Sequence, residues 1–123
     1  ALPICLQKLM DEYAGGVSSQ FKTNKFLLEK GLHLLNFLKE DAEKLGAEDL
    51  HELMRCWENV QRMWQAEAHV RTILFREETR WPGYYFRADT PSINEKWEKF
   101  VNLTYNTKEN KWDVFTKDIA HIF

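Results

Sequence analysis

The sequence holds only two cysteines, Cys5 and Cys56, far apart and in no Cys-x-x-Cys pair. That excludes a disulfide framework and a paired-thiol redox motif, and two reduced, packed thiols are expected. There is no Gly-x-Gly-x-x-Gly fingerprint, no Gly-x-x-x-x-Gly-Lys loop, no His-Glu-x-x-His and no Gly-x-Ser-x-Gly. Dinucleotide, nucleotide, zinc-peptidase and serine-esterase sites therefore lack their usual frames. His33, His51, His69 and His121 never stand three or four apart, the spacing a helical metal pair needs. Polybasic runs are missing and the net charge is −2, which argues against nucleic acid and anionic membrane as partners. No apolar stretch approaches the roughly 20 residues of a membrane-spanning helix. The chain opens on Ala1-Leu2-Pro3 with no leader-like segment, and the missing Met is expected to reflect processing or trimming. A cytoplasmic location is the expectation. Catalytic, cofactor-binding and metal residues are each expected to be none.

What is present is a core. Of 123 residues, 44% are hydrophobic, and five Trp and eight Phe are available as core or interface anchors. That length suits one domain. Leu2, Leu6, Leu9, Met10 and Tyr13 form one helical stripe that Gly15-Gly16 should stop. Val17 to Thr23 is expected as a loop. Thr23 or Asn24 can cap a second helix running to about Leu45, with one seam at Leu27, Leu34, Leu38 and Leu45 and another at Leu28, Leu32 and Leu35. Asp49, or the preceding Ala47-Glu48, can open a third, to about Thr79, with Leu50, Leu53, Trp57, Val60 and Trp64 on its apolar face. That seam predicts Trp57 and Trp64 facing inward. Beyond Arg80, turn-forming Trp81-Pro82-Gly83 and Thr90-Pro91-Ser92 precede two alternating segments joined by Asn106 to Asn110, a connector of hairpin length. The expected fold is mainly α: an antiparallel three-helix bundle, spectrin-repeat-like, over residues 1–80, with a turn and small C-terminal β-hairpin over 81–123.

One stretch stands out chemically. Residues 76–87 carry Arg76, Arg80 and Arg87, the carboxylates Glu77 and Glu78, and the aromatics Trp81, Tyr84, Tyr85 and Phe86. Arginine forks suit planar pairing with carboxylate or phosphate, and Arg, Trp and Tyr are the residue types that anchor interfaces. A turn locked by Arg–Glu pairs, an interface with another domain or subunit, and direct ligand contact all fit this composition. Consecutive Glu77 and Glu78 would point about 100° apart on a helix, as solvated ends rather than an acid–base pair. The candidate interface set is Arg76, Arg80, Trp81, Tyr84, Tyr85 and Arg87.

The string from Glu77 to Asp89, with Arg80-Trp81-Pro82-Gly83-Tyr84-Tyr85 at its centre, resembles the C-terminal region of dissimilatory adenylylsulfate reductase alpha subunits. Leu9-Met10-Asp11-Glu12-Tyr13 with Gly15-Gly16, Ala47 to Leu53 with Trp57, Trp64 to Ala68, and Trp97 with Phe100-Val101-Asn102 and Tyr105 are similar to the same region. The family sits in the fumarate reductase and succinate dehydrogenase flavoprotein superfamily, whose other members carry a Glu-Ser-Arg-Gly-Ala-His type string in place of Glu78 to Gly83. The resemblance implies a parent that holds FAD noncovalently and interconverts adenosine 5′-phosphosulfate with sulfite and AMP, with electrons supplied by an iron–sulfur beta subunit. It implies for this chain a bracing role against the flavin domain of the same polypeptide, with no activity or cofactor of its own. A helical domain of a fumarate reductase-type flavoprotein, and a free-standing helical interaction module, are the alternatives.

Overall fold

Local side chains set where the helices start. Asn24 accepts the Leu27 N–H at 2.9 Å and Asp49 accepts the Glu52 N–H at 2.8 Å, each satisfying a donor that a helix start leaves unpaired. The Glu52 carboxylate returns to the Glu48 N–H at 2.9 Å. In the computed structural model, which describes residues 2–80 and 86–119, three helices result: α1 (Leu2–Tyr13), α2 (Lys25–Ala42) and α3 (Leu50–Phe75). α1 stops where Gly15 takes φ 78, and the Gly16 N–H closes back on the Asp11 carbonyl at 3.1 Å.

Buried Leu6 and Leu9 of α1, Leu28 and Leu35 of α2, and Met63, Ala66 and Val70 of α3 share one core. Leu28 and Leu35 are wholly buried because α2 packs against both other helices. Gly31 allows the α1 approach, since a Cβ there would sit 3.2 Å from the Tyr13 Cβ.

Among the described residues there are four strands: β1 (Lys22–Thr23), β2 (Phe86–Arg87), β3 (Lys99–Asn106) and β4 (Lys111–Asp118). β1 and β2 run parallel with Thr23 opposite Arg87, and β3 and β4 form the expected hairpin with Tyr105 opposite Trp112. Asn110, at φ 50, turns the hairpin, and Asn106 Oδ1 accepts the Lys108 N–H at 3.0 Å. One hairpin face meets α3, where Trp64 lies edge-on to Tyr105 at 5.0 Å between ring centroids.

Several expectations are corrected. α2 ends three residues before Leu45, as i→i+3 hydrogen bonds from the Lys44 and Leu45 N–H groups tighten its exit. α3 ends at Phe75, four residues short of Thr79, because Arg76 turns extended at ψ 102. The segment from Val17 to Thr23 is not plain loop: it holds a short 3-10 turn, Val17–Ser19, and then β1. Trp57 does not face inward; it is 58% exposed, and Trp64, 39% exposed, packs on the hairpin rather than in the core. Periodicity had found that seam correctly and assigned it the wrong cover. Cys5 is exposed and Cys56 half-buried, so the packed-thiol expectation fails for Cys5.

Candidate functional site

The end of α3 carries the densest polar network in the described residues. The helix gives way at Arg76 to extended backbone, and the Glu78 N–H then closes a tight turn on the Arg76 carbonyl at 3.0 Å. Arg76 and Arg80 both reach the Glu78 carboxylate, and Glu77 is left exposed. The Glu78 side chain is fully buried. Its Oε1 accepts Arg80 Nε at 2.7 Å and an Nη1–H of Arg76, and its Oε2 accepts Arg80 Nη2 at 3.2 Å and the Asn94 N–H at 3.0 Å. Burial pushes the Glu78 pKa up, but the hydrogen bonds from Arg80, Asn94 and Arg76 outweigh it and hold the carboxyl below its ordinary value. The expectation that Glu78 is a solvated helix end is therefore overturned.

Arg76 reaches onward. Its Nη1 also donates to the Trp97 carbonyl at 2.8 Å and its Nη2 to the Lys99 carbonyl, which ties α3 to the start of β3. Phe75 meets Trp97 edge to face at 5.5 Å.

Arg87 works in the opposite direction. Its side chain is 1% exposed. Nη1 donates to the carbonyls of Ile73 at 3.0 Å and Leu74 at 2.9 Å, acceptors that the last helical turn leaves open, and to the Arg76 carbonyl at 2.9 Å, which also accepts the Glu78 N–H at 3.0 Å. Nε donates to Asp89 Oδ1 at 3.0 Å, and the same oxygen accepts the Lys25 N–H at the start of α2 at 3.2 Å. Thr79 closes the base: its hydroxyl donates to the Thr90 carbonyl at 2.8 Å and accepts the Arg87 N–H at 3.0 Å.

The structure thus brings Arg76, Arg80 and Arg87 into pairs within the domain. Arg87 has no exposed face to offer a partner, whereas Arg76 and Arg80 keep 23% and 28% of their side chains exposed. Trp81, Tyr84 and Tyr85 lie outside the described residues. Sequence reasoning missed Thr79, Asp89 and Asn94; their contacts span up to 64 positions and leave no local pattern. The network is built of satisfied ion pairs and cap bonds, an arrangement that holds chain segments together. Among the described residues no group of His, Cys, Asp and Glu is placed to hold a metal, and no helix is long and apolar enough to cross a membrane.

No protein-family model matches the chain. The adenylylsulfate reductase alpha subunit of Megalodesulfovibrio gigas is 47% identical over 118 residues, 95% of this chain and 18% of that protein. The solved adenylylsulfate reductase of Archaeoglobus fulgidus superposes with a TM-score of 0.96 at 52% identity, over 98% of this chain and 19% of that one. An adenosine-5-phosphosulfate reductase solved in complex with sulfite, as a covalent adduct, matches with the same TM-score, 0.96, and the same identity, 52%. The chain spans about a fifth of the length of these relatives. The resemblance carried by the Arg80 to Tyr85 string is borne out over the free-standing and fumarate reductase alternatives: over 95–98% of its length, this chain is homologous to part of the adenylylsulfate reductase alpha subunit.

Proposed function

We propose that these residues form the C-terminal helical domain of an adenylylsulfate reductase alpha subunit, with an antiparallel three-helix bundle over residues 1–80 and a turn and hairpin over 81–123. Its task is to brace the flavin domain of the same polypeptide. The parent enzyme interconverts adenosine 5′-phosphosulfate with sulfite and AMP in the cytoplasm, taking its electrons through an iron–sulfur beta subunit. The observation that carries this reading is the 47–52% identity sustained over at least 95% of the chain.

FAD belongs to the parent and not to these residues. A flavin dinucleotide's pyrophosphate is commonly held by bare N–H groups at a glycine-rich helix start. Here the α2 start is already occupied by Asn24 and Asp89, and the α3 start by Asp49, whose negative charge would repel a phosphate. Neither of these helix starts fits the group, and no step of the reaction is assigned to the described residues.

The test is to purify the longer polypeptide that contains this sequence together with its beta subunit. AMP-dependent oxidation of sulfite with an artificial electron acceptor is expected. Turnover of fumarate instead, or no redox turnover at all, would remove the assignment.

A further inference from the structure

The first three turns of α3 bury nothing. From Leu50 to Arg62 every residue is exposed or half-buried, and burial begins only at Met63 and continues through Ala66, Glu67 and Val70. Yet these turns are apolar on one side: Leu50 is 82% exposed, Leu53 55%, Met54 58% and Trp57 58%. At about 100° per residue, that seam lies more than a quarter turn round the helix from the buried side. By helical spacing, Glu52, Cys56 and Asn59 occupy the same side of the helix as Met63, Ala66 and Val70, with Glu52 exposed and Cys56 and Asn59 half-buried. Rolling α3 would therefore exchange apolar side chains for polar ones and could not bury the seam against α2. Contiguous apolar patches larger than a few hundred Å² are rare on soluble monomers unless a partner covers them.

The seam continues an interface that is already occupied. Its last member, Trp64, is covered by Tyr105 and Trp112 of the hairpin, with ring centroids at 5.0 and 5.6 Å. Beside it an open cleft of ≈ 320 Å³ lies between α2 and α3, lined by Lys39, Ala42, Glu43, Val60, Met63 and Trp64.

We infer that Leu50, Leu53, Met54 and Trp57 dock against an apolar surface of the remaining four fifths of the alpha subunit polypeptide, and that the cleft takes an apolar side chain from that surface. The inference rests on the assignment of this sequence to that subunit. The relatives are about five times as long as this chain, so most of the polypeptide lies outside it. A surface tethered on the same chain competes at a high effective concentration, an advantage that a separate subunit or second copy lacks. The flanking charges, Arg55, Glu58 and Arg62, are of mixed sign, so an apolar rather than a strongly charged surface is the complement.

The experiment uses the complete alpha subunit. Leu53→Cys, Met54→Cys and Trp57→Cys are labelled separately with a maleimide, against Glu109→Cys in the exposed hairpin turn, and adducts are resolved peptide by peptide by mass spectrometry. Labelling of the seam at least about tenfold slower than at Glu109→Cys is expected, with or without the beta subunit and at any protein concentration. Rates equal to the reference overturn the inference. So does protection lost on removing the beta subunit, which assigns the seam to that subunit, or protection lost on dilution, which assigns it to a second copy. If Trp57→Cys fails to fold, Met54→Cys reports on the same face. Sulfite oxidation by the complete enzyme is assayed in parallel. Protection without turnover sinks the functional assignment alone, and turnover with an unprotected seam sinks the docking alone.

Discussion

Glu78 receives Arg80 through both carboxylate oxygens, Nε to Oε1 at 2.7 Å and Nη2 to Oε2 at 3.2 Å, inside a site where the carboxylate has no exposed surface. A planar fork matched to a planar acceptor is what lysine cannot reproduce. Arg80→Lys should therefore destabilise the domain by about 1–2 kcal/mol although the charge is kept. Urea denaturation of the variant and parent would measure it; equal midpoints would show that the fork contributes nothing.

The same carboxylate sets an acid limb. Its folded-state pKa lies below the ordinary value of 4.5, so its contribution is complete above the unfolded-state pKa and is lost as pH falls through the lower folded one. Melting temperature should drop as the pH is taken below about 4.5, and Glu78→Gln should flatten that drop while lowering stability at neutral pH. A thermal scan series against pH checks both; an unchanged acid limb in Glu78→Gln would assign the titration elsewhere.

Arg87→Met keeps an apolar stem and removes every donor. The Ile73, Leu74 and Arg76 carbonyls then lose their common partner at the end of α3. A loss of about 2–4 kcal/mol is expected, with Arg87→Lys between variant and parent. Hydrogen exchange should show the last turn of α3 opening first. Exchange there unchanged from the parent would show that the cap is dispensable.

Two apolar truncations separate seam from core in the 123-residue chain. Leu28, with no exposed surface, should cost about 2–5 kcal/mol when cut to Ala. Trp57→Ala, at a site 58% exposed, should cost less than about 1 kcal/mol. Comparable losses in the two variants would return Trp57 to the core.

What the sequence determined was local. The two caps, the Gly15-Gly16 stop and the Asn106 to Asn110 connector act within about five residues; the sequence offered Thr23 or Asn24 for one cap and Asp49 or Ala47-Glu48 for the other, and Asn24 and Asp49 hold them. Three helices and a hairpin follow from those signals together with apolar spacing. The resemblance to the adenylylsulfate reductase alpha subunit was also legible, carried by strings such as Arg80 to Tyr85 rather than by helical periodicity, and homology to part of that subunit bears it out.

Tertiary structure decided what covers each stripe. Period 3.6 marks an apolar face but carries no information about its neighbour, so it could not tell that Met63, Ala66 and Val70 share the core with Leu28 and Leu35 of α2 while Leu50, Leu53, Met54 and Trp57 stay exposed. The pairing of Lys22–Thr23 with Phe86–Arg87 joins residues 64 apart and too few to form a pattern. The end of α3 shows why the site was half visible. Arginine density was plain, but whether Arg76 and Arg80 both reach the Glu78 carboxylate depends on where the helix stops. At that point Arg76 turns extended, and Arg87, 11 to 14 positions further along, reaches back from β2 to the Ile73, Leu74 and Arg76 carbonyls.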